Sequence, residues 1–141
     1  GEEKEKDPGF LKGRRIMLVE DNELNREIAY ELLSESGLIV DVAENGQEAI
    51  KLLGIRPENY YELIFMDIQM PVMNGYEATA TIRAGESDYW KTIPVIAMTA
   101  NVFQEDESRA AECGMSDYVT KPIDMNVIYS VLEKWLRGQK G

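Results

Sequence analysis

A parallel α/β domain is predicted, a flavodoxin-like (βα)5 three-layer sandwich whose five strands lie in the order 2-1-3-4-5. Three observations predict it. Short apolar runs recur at Ile16–Val19, Val40–Val42, Leu63–Met66, Val95–Met98 and Tyr118–Val119. Most of these runs do not alternate with polar residues, as expected of central strands buried on both faces. Stretches with apolar residues at helical spacing separate them, and strand-helix alternation of this kind implies right-handed crossovers with helices on both faces of the sheet.

The elements follow in order. Residues 1–13 are charged, carry Pro8 and two glycines, and read as a solvated linker; the start without Met fits a fragment of a longer protein. The domain proper is expected over 14–137, with 138–141 as a tail. Ile16–Val19 forms the first strand. Leu24, Ile28 and Leu32 then mark the apolar stripe of a helix that Gly37 stops. Val40 and Val42 alternate with polar neighbours as a second strand, and Asn45-Gly46 turns into a helix carrying Ala49, Ile50 and Leu53. Leu63–Met66 is the central strand, ending on Asp67. Pro71 and Asn74-Gly75 make a loop and begin a third helix to Arg83, with Asn74 as N-cap. Ala84 to Thr92 reads as a surface connection. Val95–Met98 is the fourth strand, ending on Thr99. Gln104, Glu105, Asp106 and Glu107 put negative charge in the first turn of a fourth helix that ends near Gly114. Tyr118 and Val119 form the fifth strand. A fifth helix, capped by Asp124, carries Ile128, Val131, Leu132 and Trp135, the last expected in the core.

Composition narrows the chemistry. The 141 residues and their 44% apolar content suit one domain with one full core. A net charge of -11 repels a nucleic acid backbone, so no nucleic acid partner is expected. No apolar run approaches the roughly 20 residues of a membrane helix, and no signal-peptide core is present. The segment is expected to be soluble and cytoplasmic without membrane contact, although a parent protein could be membrane-anchored. Cys113 is the single cysteine, which excludes an internal disulfide and a multi-cysteine metal site; it reads as a small buried hydrophobe. No histidine is present, so Ser-His and Cys-His pairs are excluded too.

What remains gathers at the strand ends: Glu20 with Asp21, then Asp67, Thr99 and Lys121. Each alone would be an ordinary cap or turn residue. In the 2-1-3-4-5 order the first and third strands are neighbours, so the three carboxylates converge where α/β sheets bind ligands. Like charges that close raise one another's pKa unless a cation joins them. An all-oxygen donor set suits Mg²⁺, with Mn²⁺ as a substitute; Lys121 and Thr99 suit phosphoryl oxygens. No G-x-G-x-x-G follows the first strand, where D-N-E-L-N-R stands, and no P-loop is present.

These residues carry a resemblance to the receiver domains of two-component response regulators, over roughly Arg14 to Arg137. L-V-E-D-N resembles the family's acidic pair, M-D-I-Q-M-P-V-M-N-G its phospho-acceptor loop, A-M-T-A its threonine strand end and Y-V-T-K-P its lysine-proline turn. The wording around Asp67 and Thr99 is most similar to receivers of hybrid sensor histidine kinases. The resemblance implies that Asp67 accepts a phosphoryl group from a phosphohistidine of a histidine kinase or histidine-phosphotransfer protein. It implies Mg²⁺ held by Asp21, Asp67, Glu20 and the backbone carbonyl of Gln69, and phosphoryl oxygens bound by Thr99 and Lys121. Tyr118 would be the aromatic that reports phosphorylation on the surface of the fourth helix, fifth strand and fifth helix. Gln69 and Asn101 resemble family positions that tune phosphate lifetime, and a cis bond is expected between Lys121 and Pro122. The expected module catalyses its own phosphorylation and slow hydrolysis, as a monomer or weak dimer.

Two other readings stay open on the residues alone. An aspartate-nucleophile phosphohydrolase of the haloacid-dehalogenase type would want a second Asp two residues after Asp67, where Gln69 stands. A degenerate binding module that never takes phosphate would not need Asp67, Asp21, Thr99 and Lys121 together.

Overall fold

The structure, a computed structural model, describes residues 9–100 and 107–137. The elements are β1 (Arg15–Val19), α1 (Glu23–Glu35), β2 (Ile39–Ala43), α2 (Gly46–Ile55), β3 (Leu63–Asp67) and α3 (Gly75–Arg83). They continue as α4 (Asp88–Thr92), β4 (Val95–Thr99), α5 (Glu107–Cys113), β5 (Asp117–Thr120) and α6 (Met125–Leu136). The five strands pair in parallel in the order β2-β1-β3-β4-β5. This is the flavodoxin-like sandwich expected. Asn101, Gln104, Glu105 and Asp106 lie outside the described residues, as do 1–8 and 138–141.

The unbroken apolar runs have a plain geometric origin. Successive strand residues face opposite sides, and here both sides are covered. Ile16, Leu18, Leu63, Phe65, Ile96 and Met98 enter the core beneath α1 and α6. Met17, Val19, Ile64, Met66 and Val95 enter the core beneath α2 and α3. Burying each such side chain contributes roughly 1.5–3 kcal/mol, which is why a polar residue inside these runs would be costly.

Three asparagines start the helices that border the sheet's C-terminal edge. Asn22, Asn45 and Asn74 accept from the backbone N–H of Asn25, Glu48 and Glu77, at 2.9, 2.8 and 2.9 Å. Glu77 reciprocates to the Asn74 N–H at 3.1 Å, completing a capping box. Asp124 caps α6 by accepting from Asn126 at 2.8 Å.

Several expectations need correction. The stretch 84–92 is not merely a connection: Ser87 accepts from Trp90 N–H and starts the short α4. The stripe of α1 faces outward, with Leu24 64% and Ile28 49% exposed, while Ala29 and Leu33 face the sheet. Phe10 and Leu11 are not solvated linker but buried core, Phe10 lying edge-on to Tyr129. Cys113 is only half-buried, its thiol donating to the Ala110 carbonyl at 3.2 Å. Trp135 sits partly in the core, and its indole N–H donates to Asp117 at 2.9 Å. Among the described residues no helix is long and apolar enough to cross a membrane.

Candidate functional site

Strand register alone brings the site together. Val19 of β1 pairs with Met66 of β3, so the next residues, Glu20 and Asp67, emerge side by side. Asp67 pairs with Met98 of β4, which puts Thr99 one step further along. Thr99 pairs with Thr120 of β5, and the Lys121 N–H donates to the Thr99 carbonyl at 2.8 Å. The bond between Lys121 and Pro122 is cis, as the resemblance implied.

The Lys121 ammonium reaches back across the strand ends. Its Nζ lies 2.8 Å from Glu20 Oε2 and 3.1 Å from Asp67 Oδ1. Glu20, Asp67 and Thr99 are each 3% exposed, whereas Asp21 is open to water. The other oxygen of Glu20 accepts from the Asn22 N–H at 3.2 Å, and Asp67 Oδ1 also accepts from the Gln69 N–H at 3.2 Å.

Burial pushes the Asp67 carboxyl up to about 7, the charge of Glu20 adds to the rise, and Lys121 opposes it. Burial by itself would lower the Lys121 pKa; its contacts with Glu20 and Asp67 more than offset this, so the pKa is raised and the ammonium stays charged. The carboxylates of Glu20, Asp21 and Asp67 offer oxygens that all lie within 4.8 Å of one another. Such a set, acidic, all oxygen and wet on the Asp21 side, fits a hard divalent cation that keeps several waters. A cation placed among these oxygens would offset both causes of the Asp67 rise, the burial and the charge of Glu20.

The loop after Asp67 is tightly built. Ile68 donates to the Met98 carbonyl at 3.1 Å and Gly75 to the Ile68 carbonyl at 2.9 Å, closing the loop at its base. At its tip Met73 N–H bonds back to the Pro71 carbonyl at 2.7 Å, and Val72 is held at φ 67 with its side chain 88% exposed. A β-branched residue in that region is strained. A groove of about 490 Å³ runs beside the site between α1 and the Lys121-Pro122 turn, lined in part by Asn25, Ile28, Gln69 and Ile123. Tyr118, in β5 opposite Ala97, is 47% exposed on the outer surface.

One residue at the site goes unmarked in the sequence reading. Arg26, the single basic residue of α1, donates from Nη1 to the carbonyls of Glu20 (3.1 Å) and Asp21 (3.5 Å). Its Nη2 lies 3.3 Å from Glu44 Oε1. The available signal was a lone cation in an acidic helix, one turn past the acidic pair.

Comparison with known proteins places this arrangement. Residues 16–133 match the family described as the response regulator receiver domain. The chain is 36% identical, over 99% of its length, to hybrid signal transduction histidine kinase L of Dictyostelium discoideum, of which it spans only 8%. The receiver domain of sensor histidine kinase PA1611 from Pseudomonas aeruginosa, solved with a magnesium ion in its active-site cleft, superposes with a TM-score of 0.78. It shares 34% identity over 87% of this chain and 97% of that one. The receiver domain of Ssk1 from Saccharomyces cerevisiae, solved with the histidine phosphotransfer protein Ypd1, matches at 30% identity with a TM-score of 0.78, covering 92% of each chain. With the acidic cluster, the lysine bridge and the parallel sheet all in place, the chain belongs to the response regulator receiver domains, the receiver modules of phosphorelay signalling.

Proposed function

We propose that this receiver takes a phosphoryl group from a partner's phosphohistidine onto Asp67, with Glu20, Asp21, Asp67 and the backbone carbonyl of Gln69 holding Mg²⁺. The observation that supports this best is the Lys121 ammonium, 3.1 Å from the proposed nucleophilic carboxylate and 2.8 Å from Glu20, at the rim of an acidic cluster. An Asp67 oxygen forms the new O–P bond while the donor's N–P bond breaks and its electron pair returns to the imidazole nitrogen. Mg²⁺, when bound, supplies positive charge against the phosphoryl oxygens and the converging carboxylates. Mn²⁺ would serve in its place. Lys121 binds one phosphoryl oxygen and the Thr99 hydroxyl donates to another. The missing imidazole is the donor's, which fits a histidine kinase or histidine-phosphotransfer protein as partner.

Gln69, an amide, supplies neither the acid that would protonate a phosphomonoester's leaving alcohol nor a base that would activate water against the acyl phosphate, so the module signals rather than turns over substrate. Thr99 moves toward the phosphoryl group, Tyr118 swings into the vacated space, and the surface of α5, β5 and α6 changes. The receiver unit is assigned to residues 14–137 with Phe10 and Leu11 packed onto it, acting in the cytoplasm as a monomer or weak dimer.

The test is labelling by a phosphohistidine donor. Wild type is expected to gain an acid-labile, hydroxylamine-sensitive phosphate, and Asp67→Asn none, with the fold kept. Stable labelling of the Asn variant overturns the assignment.

A further inference from the structure

We infer that Arg26 is a positioning residue for the metal site, setting where Asp21 presents its carboxylate without touching metal or phosphate itself. The inference rests on the metal-dependent phosphorylation proposed above. The turn from β1 into α1 carries two of the three clustered carboxylates, and its anchoring is uneven. Glu20 is buried and held at both oxygens, by Lys121 at 2.8 Å and by the Asn22 N–H at 3.2 Å. Asp21 is exposed, and among the described residues no such pair of bonds holds its carboxylate. The backbone on either side of Asp21 is held by Glu20 N–H to the Ala43 carbonyl and Asn22 N–H to the Glu20 carboxylate, and one guanidinium reaches the carbonyls of both Glu20 and Asp21.

Arg26 Nη1 lies 3.1 Å from the Glu20 carbonyl and 3.5 Å from the Asp21 carbonyl, while Nη2 lies 3.3 Å from Glu44. Glu44 stands between β2 and the Asn45 cap of α2. A single planar fork thus ties the acidic turn to its own helix and to the neighbouring strand end, and the Arg26 side chain is itself only 15% exposed. Lysine, a point charge on a flexible stem, presents its donors from one nitrogen and does not reproduce a fork that reaches the two carbonyls from Nη1 and the carboxylate from Nη2. The positive charge of Arg26 works against a cation in the cluster, and Glu44 offsets that charge. Position and charge therefore predict opposite signs, and two substitutions separate them.

Metal binding is read on the purified domain by calorimetric Mg²⁺ titration and by amide shifts of the β1–α1 turn, with thermal unfolding of the metal-free protein as a control. Arg26→Lys, which keeps the charge and loses the fork, is expected to weaken Mg²⁺ binding about 10-fold, the scale seen when supports of metal ligands are removed. Arg26→Gln is expected to weaken it as well, and Glu44→Gln to weaken it by less than Arg26→Lys does. With a small-molecule phosphodonor the deficit of Arg26→Lys should lie in the Mg²⁺ concentration for half-maximal labelling rather than in the maximal rate. A merely structural role would lower unfolding temperature and maximal rate together, and that outcome overturns the inference. So does Arg26→Lys binding Mg²⁺ as wild type does, or Arg26→Gln binding it more tightly, which would make Arg26 a charge and not a positioner. If wild type itself shows no saturable Mg²⁺ titration, the metal reading falls with it; if wild type titrates and the variants match it, only the role of Arg26 falls.

Discussion

Asp67 carries an energetic burden that its chemistry explains. Its carboxyl is pushed from an ordinary value of 3.8 to about 7, first by burial and then by Glu20. The folded, metal-free protein therefore holds a proton on Asp67 where the unfolded chain has released it. Stability from this group is present at acid pH and is lost as pH rises from about 4 to about 7. Asp67→Asn, uncharged at every pH, escapes the loss. The stability difference between Asp67→Asn and wild type is expected to grow by on the order of 2 kcal/mol between pH 4.5 and pH 8. Urea unfolding with a chelator present measures it, and a pH-independent difference would show that burial does not perturb the group. At this scale Asp67, Thr99 and Lys121 were legible in the sequence because each directly follows or ends an apolar strand. Arg26 was not, since a side chain that bonds backbone carbonyls leaves no pattern among residue types.

At the scale of elements, the start of α3 is constrained by its approach to the strand that ends on Asp67. A Cβ on Gly75 would press against the Asp67 carbonyl oxygen and come within 2.9 Å of Ile68 Cα, both backbone and unable to rotate away. Gly75→Ala is therefore expected to cost about 2–3 kcal/mol by overpacking and to shift the amide resonances of Asp67 and Gln69. An unchanged urea midpoint would mean that the loop yields more readily than its base bonds from Ile68 and Gly75 imply. The helix starts were readable, because Asn74, Asn45 and Asp124 cap where polar residues precede apolar periodicity. The face of α1 was not. Leu24 and Ile28 repeat at the spacing of Ala29 and Leu33, and periodicity alone does not say which of two parallel stripes the sheet covers. The short α4 escaped notice because one turn of helix held by Ser87 has no room for a periodic signal.

The molecule as a whole is closed by residues that looked like an approach to it. Phe10 sits in a charged stretch whose composition reads as linker, yet its ring is 8% exposed. The Arg14 and Arg137 guanidinium carbons lie 4.7 and 4.1 Å from its centroid. Arg14 is fixed in turn by Glu62 at 2.7 Å and by the Phe10 carbonyl at 2.9 Å. Phe10→Ala is expected to cost about 3 kcal/mol, the usual loss for a buried phenylalanine. Thermal unfolding checks it; a shift of under 1 °C would return residues 9–13 to the status of linker. Composition hid this packing because two apolar residues among charges make no run, and their burial depends on α6, which comes more than a hundred residues later.

The stacking of Arg137 on Phe10 also sets where the chain comes in and goes out. The segment leading into β1 and the last residue described after α6 meet over one aromatic ring, on the edge of the molecule formed by the chain ends. A longer polypeptide threaded through this unit would enter and exit at a single point, so the receiver can be spliced in as a cassette without pulling apart whatever flanks it. Fluorophores placed just outside both ends would transfer energy efficiently in the folded unit.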